Sequence, residues 1–221
     1  MSYKIVVMSC DKNDDLWLPF HHCMEKYWKN HPEIIYSTET KINPYYKTIC
    51  RNLPINKWTK RVYETIKDLK CDNILLMVDD LFLRDFVDSK KIDILEKELV
   101  SNIVAFNFEF KFDMWDIPYK YDLYIRNPIG KFQTSCMCQM WNMSVMKKLF
   151  NVSLDPWQFE KQNKTYNFLF LISKSGNYLN WGKRRDDWRW GIVKGKWTQE
   201  CKEFLDKECI DIDYSIRGFI D

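Results

Sequence analysis

The stretch "NILLMVDDLF", residues 73 to 82, runs through mostly apolar residues and stops at two adjacent aspartates, Asp79 and Asp80. An apolar run of this length, bounded by polar residues, is what a strand buried on both faces of a parallel sheet looks like. The chain ahead of it agrees. "YKIVVMSC" (3 to 10) is a β-branched apolar run closed by "DKNDD". From Leu16 to Trp28, the residues Leu16, Phe20, Cys23, Met24, Tyr27 and Trp28 recur at three- and four-residue spacing. That spacing predicts a helix, with Asp14 or Asp15 as its cap. "EIIYST" (33 to 38) predicts a second strand, and the stripe Trp58, Val62, Ile66, Leu69 a second helix. Strand, helix, strand, helix, strand is the sequence form of a parallel α/β sheet with right-handed crossovers.

Beyond Asp80 the pattern loosens. A helix is expected over Ile92 to Val100, a strand over Ile103 to Phe108, and strand-like alternation in "FNFEFKFDMW". "IRNPIGKFQTSCMCQMWNMSVMKKLF" reads as an extended segment, a strand and a helix starting near Asn142 or Ser144. "YNFLFLIS" is a further strand, "GKRRDDWRWG" a charged turn, and Thr198 to Lys207 a C-terminal helix. No internal repeat is visible. The expected organisation is one domain, residues 1–221, with a nucleotide-binding half (1–100) and an acceptor-binding half (101–221).

The bulk numbers narrow the classes. A chain of 221 residues with 46% hydrophobic residues supports a single packed core, and six glycines and seven prolines leave no low-complexity linker. A net charge of +3 with both signs interspersed predicts no nucleic-acid binding, which needs a dense basic face, but is compatible with an anionic membrane surface. The N-terminal apolar run is too short for a signal peptide and no stretch approaches a membrane span, so a cytoplasmic protein is expected. The eight cysteines are expected to be reduced thiols, and Cys136-Met-Cys138 lacks the CxxC partner of a structural zinc site. Ten tryptophans exceed what a core requires; an aromatic face stacks on a sugar or base ring, although aromatics also serve as core filler.

Ligands of open α/β sheets bind beyond the carboxyl ends of the strands, which is where Asp79 and Asp80 fall. Two side-by-side carboxylates need compensation, and a magnesium or manganese ion completed by substrate phosphates supplies it; capping of the next turn is the alternative. "ILLMVDDLFL" resembles the strand and acidic motif of GT-A-fold glycosyltransferases, in particular those of bacterial polysaccharide (capsule or lipopolysaccharide) loci. "VVMSCDKNDDLWLPF", "MWNMSVMKKLF" followed by "DPWQFE", and "WGIVKGKW" are similar to other parts of that group and extend the resemblance over most of the chain. The sequence departs from the common Asp-any-Asp pattern in having its aspartates adjacent.

The resemblance implies a GT-A-like (Rossmann-like), mainly parallel sheet flanked by helices. It also implies a nucleotide-sugar donor, with a UDP-sugar favoured, and a glycan or lipid-linked glycan acceptor, with a peripheral place at the inner membrane face. Donor-binding candidates are then Ser9, Cys10, Asp11 and Thr38 at the first two strand ends. Asp79 and Asp80 would meet the Mn2+ or Mg2+, and Lys183, Arg184 and Arg185 would help with the leaving diphosphate, unless that turn is only a solvated loop. An inverting transfer needs a carboxylate base. Glu160 is the first candidate, partly desolvated by Trp157 and Phe159, and Asp155 the second, with a helix cap before Pro156 as its other reading. Trp157 and Trp141 are candidate acceptor platforms.

The three histidines (21, 22 and 31) all lie early, which removes hydrolases or metal sites built on a late histidine. No GxGxxG or GxxxxGK[ST] is present, so dinucleotide and P-loop chemistry lack their phosphate cradle. Two alternatives stay open: a non-catalytic carbohydrate-binding protein, and a sugar nucleotidyltransferase, although the latter would want a Gly-rich basic loop near the start.

Overall fold

The computed structural model describes residues 3–99, 103–108, 117–126, 134–162, 169–173, 178–179 and 191–220. Strand β1 (Tyr3–Met8) leads through a 3-10 turn (Asp11–Leu16) into α1 (Trp17–Tyr27). The expected aspartate cap is absent. Asp14 and Asp15 sit inside the 3-10 turn, the residue before α1 is Leu16, and Pro19 occupies the first helical turn, where the missing N–H is not needed. Strands β2 (Ile34–Thr38) and β3 (Lys47–Cys50) follow, then α2 (Trp58–Ile66) and β4 (Asn73–Val78). Helix α3 (Ser89–Glu98) starts three residues earlier than expected because Asp88 caps it, accepting from the Lys90 amide at 3.0 Å.

Strands β5 (Ile103–Asn107), β6 (Ile117–Lys120), β7 (Leu123–Ile125) and β8 (Gln139–Asn142) precede α4 (Met143–Phe150). Asn142 caps α4 through its side-chain oxygen, which accepts from the Ser144 and Val145 amides. A short helix α5 (Pro156–Glu160), strand β9 (Leu169–Ser173), the hairpin β10 (Ile192–Val193) and β11 (Lys196–Trp197), and α6 (Gln199–Lys207) complete the order. Of the alternating "FNFEFKFDMW", β5 takes only the first two residues, and residues 109–115 lie outside the described chain.

Among the described residues, nine strands form one sheet in the order β3-β2-β1-β4-β8-β5-β9-β7-β6, with β8 antiparallel to β4 and β5, and β7 antiparallel to β9 and β6. The other pairings are parallel. Only β8 and β7 of these nine strands run against the rest, so the sheet is mixed in pairing but mainly parallel in direction, and it is flanked by helices. Alternate strand residues feed opposite faces. Ile5, Val7, Leu75 and Met77 pack with α1, α3 and α6, whereas Val6, Met8, Ile74 and Leu76 pack with α2, α4 and α5. All eight cysteines are unpaired.

The C-terminal segment returns to the end of β4. The Gly191 amide donates to the Asp80 carbonyl at 2.8 Å, and a Cβ built at Gly191 would stand 2.4 Å from Phe82 Cε2. Only glycine allows so close an approach. Trp197, fully buried, stacks near Phe82 and its amide donates to the Gly218 carbonyl at 3.0 Å.

Candidate functional site

The parallel register of β1 and β4 aligns Met8 with Val78, so the residues after each strand stand side by side. The Ser9 hydroxyl donates to Asp79 Oδ2 and accepts from Trp17 Nε1 at 2.8 Å, while Asn13 Nδ2 donates to Asp79 Oδ1 at 3.2 Å. Asp79 is 2% exposed. Burial pushes its carboxyl up, the Asp80 charge adds to this, and the hydrogen bonds only partly offset them, leaving it at about 7. Asp80 is half-buried and its carboxylate accepts no side-chain hydrogen bond among the described residues. Burial raises it to about 6, against the pull of Arg217.

These groups open into a cleft of ≈ 550 Å³ lined by residues far apart in sequence, among them Ser9, Cys10, Asp79, Asp80, Glu160 and Arg217. Its cations are Lys12, Arg61, Lys194 and Arg217. Arg217 reaches back from the C-terminus to the first loop. Its Nε and Nη2 bind Asp15 at 2.7 and 2.6 Å, and Nη2 also donates to the Lys12 carbonyl and Asn13 Oδ1. Arg61 is buried on the inner face of α2, donates to the Ser9 carbonyl at 2.7 Å, and pairs with Glu39. Lys194 stands at φ +52° in the β10–β11 turn beside Gly195.

Glu160 closes α5. Its Oε1 accepts from the Cys136 amide at 2.7 Å and the Ser135 hydroxyl at 3.2 Å, in the loop entering β8, and its Oε2 takes no bond among the described residues. The expected aromatic desolvation is not what holds it. Phe159 is buried against Trp58 and Phe150, and Trp157 is 61% exposed on the cleft rim. An acidic side chain fixed by backbone and hydroxyl donors through one oxygen, with the other free, can receive a proton from a bound hydroxyl.

The remaining sequence candidates lie elsewhere. Burial pulls the Asp11 carboxyl up, but bonds from the Thr40 hydroxyl and amide and the Lys41 amide outweigh it and bring it to about 2; this carboxylate clamps the loop after β2. Thr38 is buried and donates to the Lys41 carbonyl at 2.7 Å. Asp155 caps α5 in a reciprocal pair with Gln158. Trp141 is fully buried between Phe150 and Phe170 and presents no face to an acceptor. Lys183, Arg184 and Arg185 lie outside the described residues. The cations missed in sequence had uneven signals: Arg61 interrupts the apolar stripe of α2, whereas nothing local marks Lys12, Lys194 or Arg217.

Cys10 lines the cleft, but burial first, then Asp79 and Glu39, push its thiol up to about 11, so it stays protonated at neutral pH. No group of three or more His, Cys, Asp or Glu that could hold a metal exists among the described residues. Among the described residues, Asp79 and Asp80 do not by themselves make a cage of protein ligands. They do suit magnesium or manganese, which take one or two carboxylates and complete their shell with phosphate oxygens and water.

No protein-family profile matches the sequence, and no curated protein matches it. Solved structures do match in fold. S. aureus TarS superimposes with a TM-score of 0.52 at 9% identity over 81% of this chain and 36% of that one. A TarS fragment, residues 1-349, gives 0.51 at 9% identity, covering 81% and 60%. A cytidylyltransferase from Leptospira borgpetersenii serovar Hardjo-bovis gives 0.45 at 14% identity, covering 72% and 68%. The chain thus spans about a third of TarS and three fifths of its fragment. The fold is similar to that of TarS.

Proposed function

We propose that this protein is a nucleotide-sugar-dependent glycosyltransferase that passes a sugar, with a UDP-sugar as favoured donor, to a glycan or lipid-linked glycan. The observation that carries this is the meeting of Asp79, Asp80, four cationic side chains and a singly anchored Glu160 in one cleft at the carboxyl ends of β1 and β4. Such a cleft is where α/β sheets bind ligands, and the GT-A-like fold supports the class.

In this reading the nucleoside rests on the loop Ser9 to Asn13, and Lys12, Lys194 and Arg217 face the diphosphate. Asp80, with Asp79 behind it, would hold a manganese or magnesium ion whose charge stabilises the departing diphosphate. Arg61 supports the loop through the Ser9 carbonyl. The acceptor ring stacks on Trp157, and its hydroxyl gives its proton to Glu160 Oε2 as its oxygen bonds the sugar's anomeric carbon. The bond to the diphosphate breaks with its electron pair on the phosphate oxygen, so the transfer inverts.

The test is a panel of nucleotide sugars offered with glycan acceptors, read as release of nucleoside diphosphate. One donor is expected to turn over, and Glu160→Gln is expected to slow transfer about 10²–10⁴-fold while keeping nucleotide binding. Release of pyrophosphate from a nucleoside triphosphate and a sugar phosphate would instead identify an enzyme that makes the donor. Binding of free glycans with no response to any nucleotide would identify a carbohydrate-binding protein.

A further inference from the structure

Beside the cleft a ridge of apolar residues stands in solvent. Ile55 is 56% exposed, Val152 41% and Trp157 61%, and Pro54 is exposed beside them. They belong to two segments locked together: the Thr59 hydroxyl donates to the Val152 carbonyl at 2.7 Å, the Thr59 amide donates to the Leu154 carbonyl at 3.1 Å, and Lys60 Nζ donates to Asn151 Oδ1 at 2.9 Å. Ile55 and Trp157 also line the cleft, so the ridge is its lip.

Behind the lip runs a second, open groove of ≈ 480 Å³ lined by Arg51, Lys57 and Lys60 with Leu53, Glu64 and Ser153. Its one carboxylate, Glu64, is already paired with Lys60 and Lys67 at 3.3 and 2.7 Å. Arg51 hydrogen-bonds only to the carbonyls of Cys50 and Glu64, and Lys57 has no carboxylate partner among the described residues. The groove therefore carries surplus positive charge directly beside exposed aliphatic and indole surface.

We propose that this lip, Pro54, Ile55, Val152 and Trp157 backed by Arg51, Lys57 and Lys60, docks the protein on an anionic phospholipid bilayer. Single exposed apolar residues are ordinary, but a set containing tryptophan, carried on two hydrogen-bonded segments and backed by cations in excess of carboxylates, has the two components of interfacial binding: apolar insertion and attraction to anionic headgroups. The charge complementarity selects an anionic surface over a neutral one. Because the lip is shared with the cleft, docking turns the cleft mouth to the bilayer. A lipid-linked sugar would enter it without leaving the membrane, and this last step alone rests on the glycosyltransferase reading.

The test is co-sedimentation of the full chain with vesicles of phosphatidylcholine alone and of phosphatidylcholine mixed with phosphatidylglycerol. Binding is expected only to the mixed vesicles, and it is expected to weaken with salt. It should fall about fivefold for each cation removed in Arg51→Ala and Lys57→Ala. It should also fall in Val152→Asp, a position outside the cleft. Thermal stabilisation by nucleotide is expected to stay unchanged in all three variants, which separates failure of the docking surface from failure of the donor site. Absence of binding, equal binding to neutral vesicles, or binding indifferent to these substitutions would overturn the proposal. So would sedimentation of the free protein as a dimer that Val152→Asp dissociates, since a second copy would then be the occupant.

Discussion

Between about pH 4 and pH 7, Asp79 and Asp80 retain protons in the folded chain that they lose in the unfolded one. Their ordinary value is 3.8, and in the cleft they stand at about 7 and about 6. Across the window from about 4 to 7 the native state binds more protons, so the unfolding free energy falls as pH rises. With metal chelated, these two carboxyls are therefore expected to make the protein melt lower at pH 8 than at pH 5. Asp80→Asn should remove the Asp80 share of that slope, worth about 1–3 kcal/mol. At pH 8 it should then raise the melting temperature by about 2–4 °C per kcal/mol recovered. Wild-type and variant melts from pH 5 to 8 check this, and parallel curves would contradict it. Glu160→Gln belongs to the same scale. It keeps the shape and the Cys136 contact but cannot take a proton, so a loss of about 10²–10⁴-fold in kcat with unchanged melting temperature is expected.

Elements were legible in sequence where their own residues determine them. Strand β4 spans the apolar run of the acidic motif, Asn142 and Thr198 cap α4 and α6 where a polar residue precedes an apolar stripe, and β1 ends where "DKNDD" begins. Strand β3 gave no such signal: Lys47–Cys50 lies at the sheet edge, half-exposed, and needs no apolar alternation. The 3-10 turn before α1 was equally hidden, since Asp14 pairs with Lys41 and Asp15 with Arg217 instead of capping the helix. The β10–β11 hairpin offers the sharpest test at this scale. Gly191→Ala would drive a methyl group into Phe82 and strain the bond to the Asp80 carbonyl, an overpacking cost of about 1–3 kcal/mol. A lower melting temperature together with weakened nucleotide binding is expected, because the same contact positions the turn that carries Asp80.

At the scale of the whole molecule, the sheet brings the first loop, the end of β4, the loop into β8 and the C-terminal segment to one place. Local pattern announced the first two: a buried strand ending in charge places its carboxylates at the ligand end of an α/β sheet. It was blind to the last, because Arg217 and Asp15 meet across 202 positions and no spacing rule reaches that far. The aromatic excess misled for a related reason. Trp141 and Trp157 are chemically alike, and only packing sends one into the core and the other to the rim. Arg217→Ala is expected to weaken nucleoside diphosphate binding about tenfold, the scale of a charge-assisted hydrogen bond, which calorimetric titration would measure.

The proposed transfer depends on Asp79 and Asp80 forming a metal-assisted diphosphate site. Its most direct test is a thermal-shift panel of UDP, GDP, CDP and ADP, each with manganese and with chelator, on the wild type and on Asp80→Asn. A ligand that binds only the native state raises the melting temperature by mass action. A rise is expected for one nucleotide, UDP foremost, that disappears with chelator and in Asp80→Asn. A melting temperature indifferent to every nucleotide, or a rise that survives both chelator and Asp80→Asn, would contradict it.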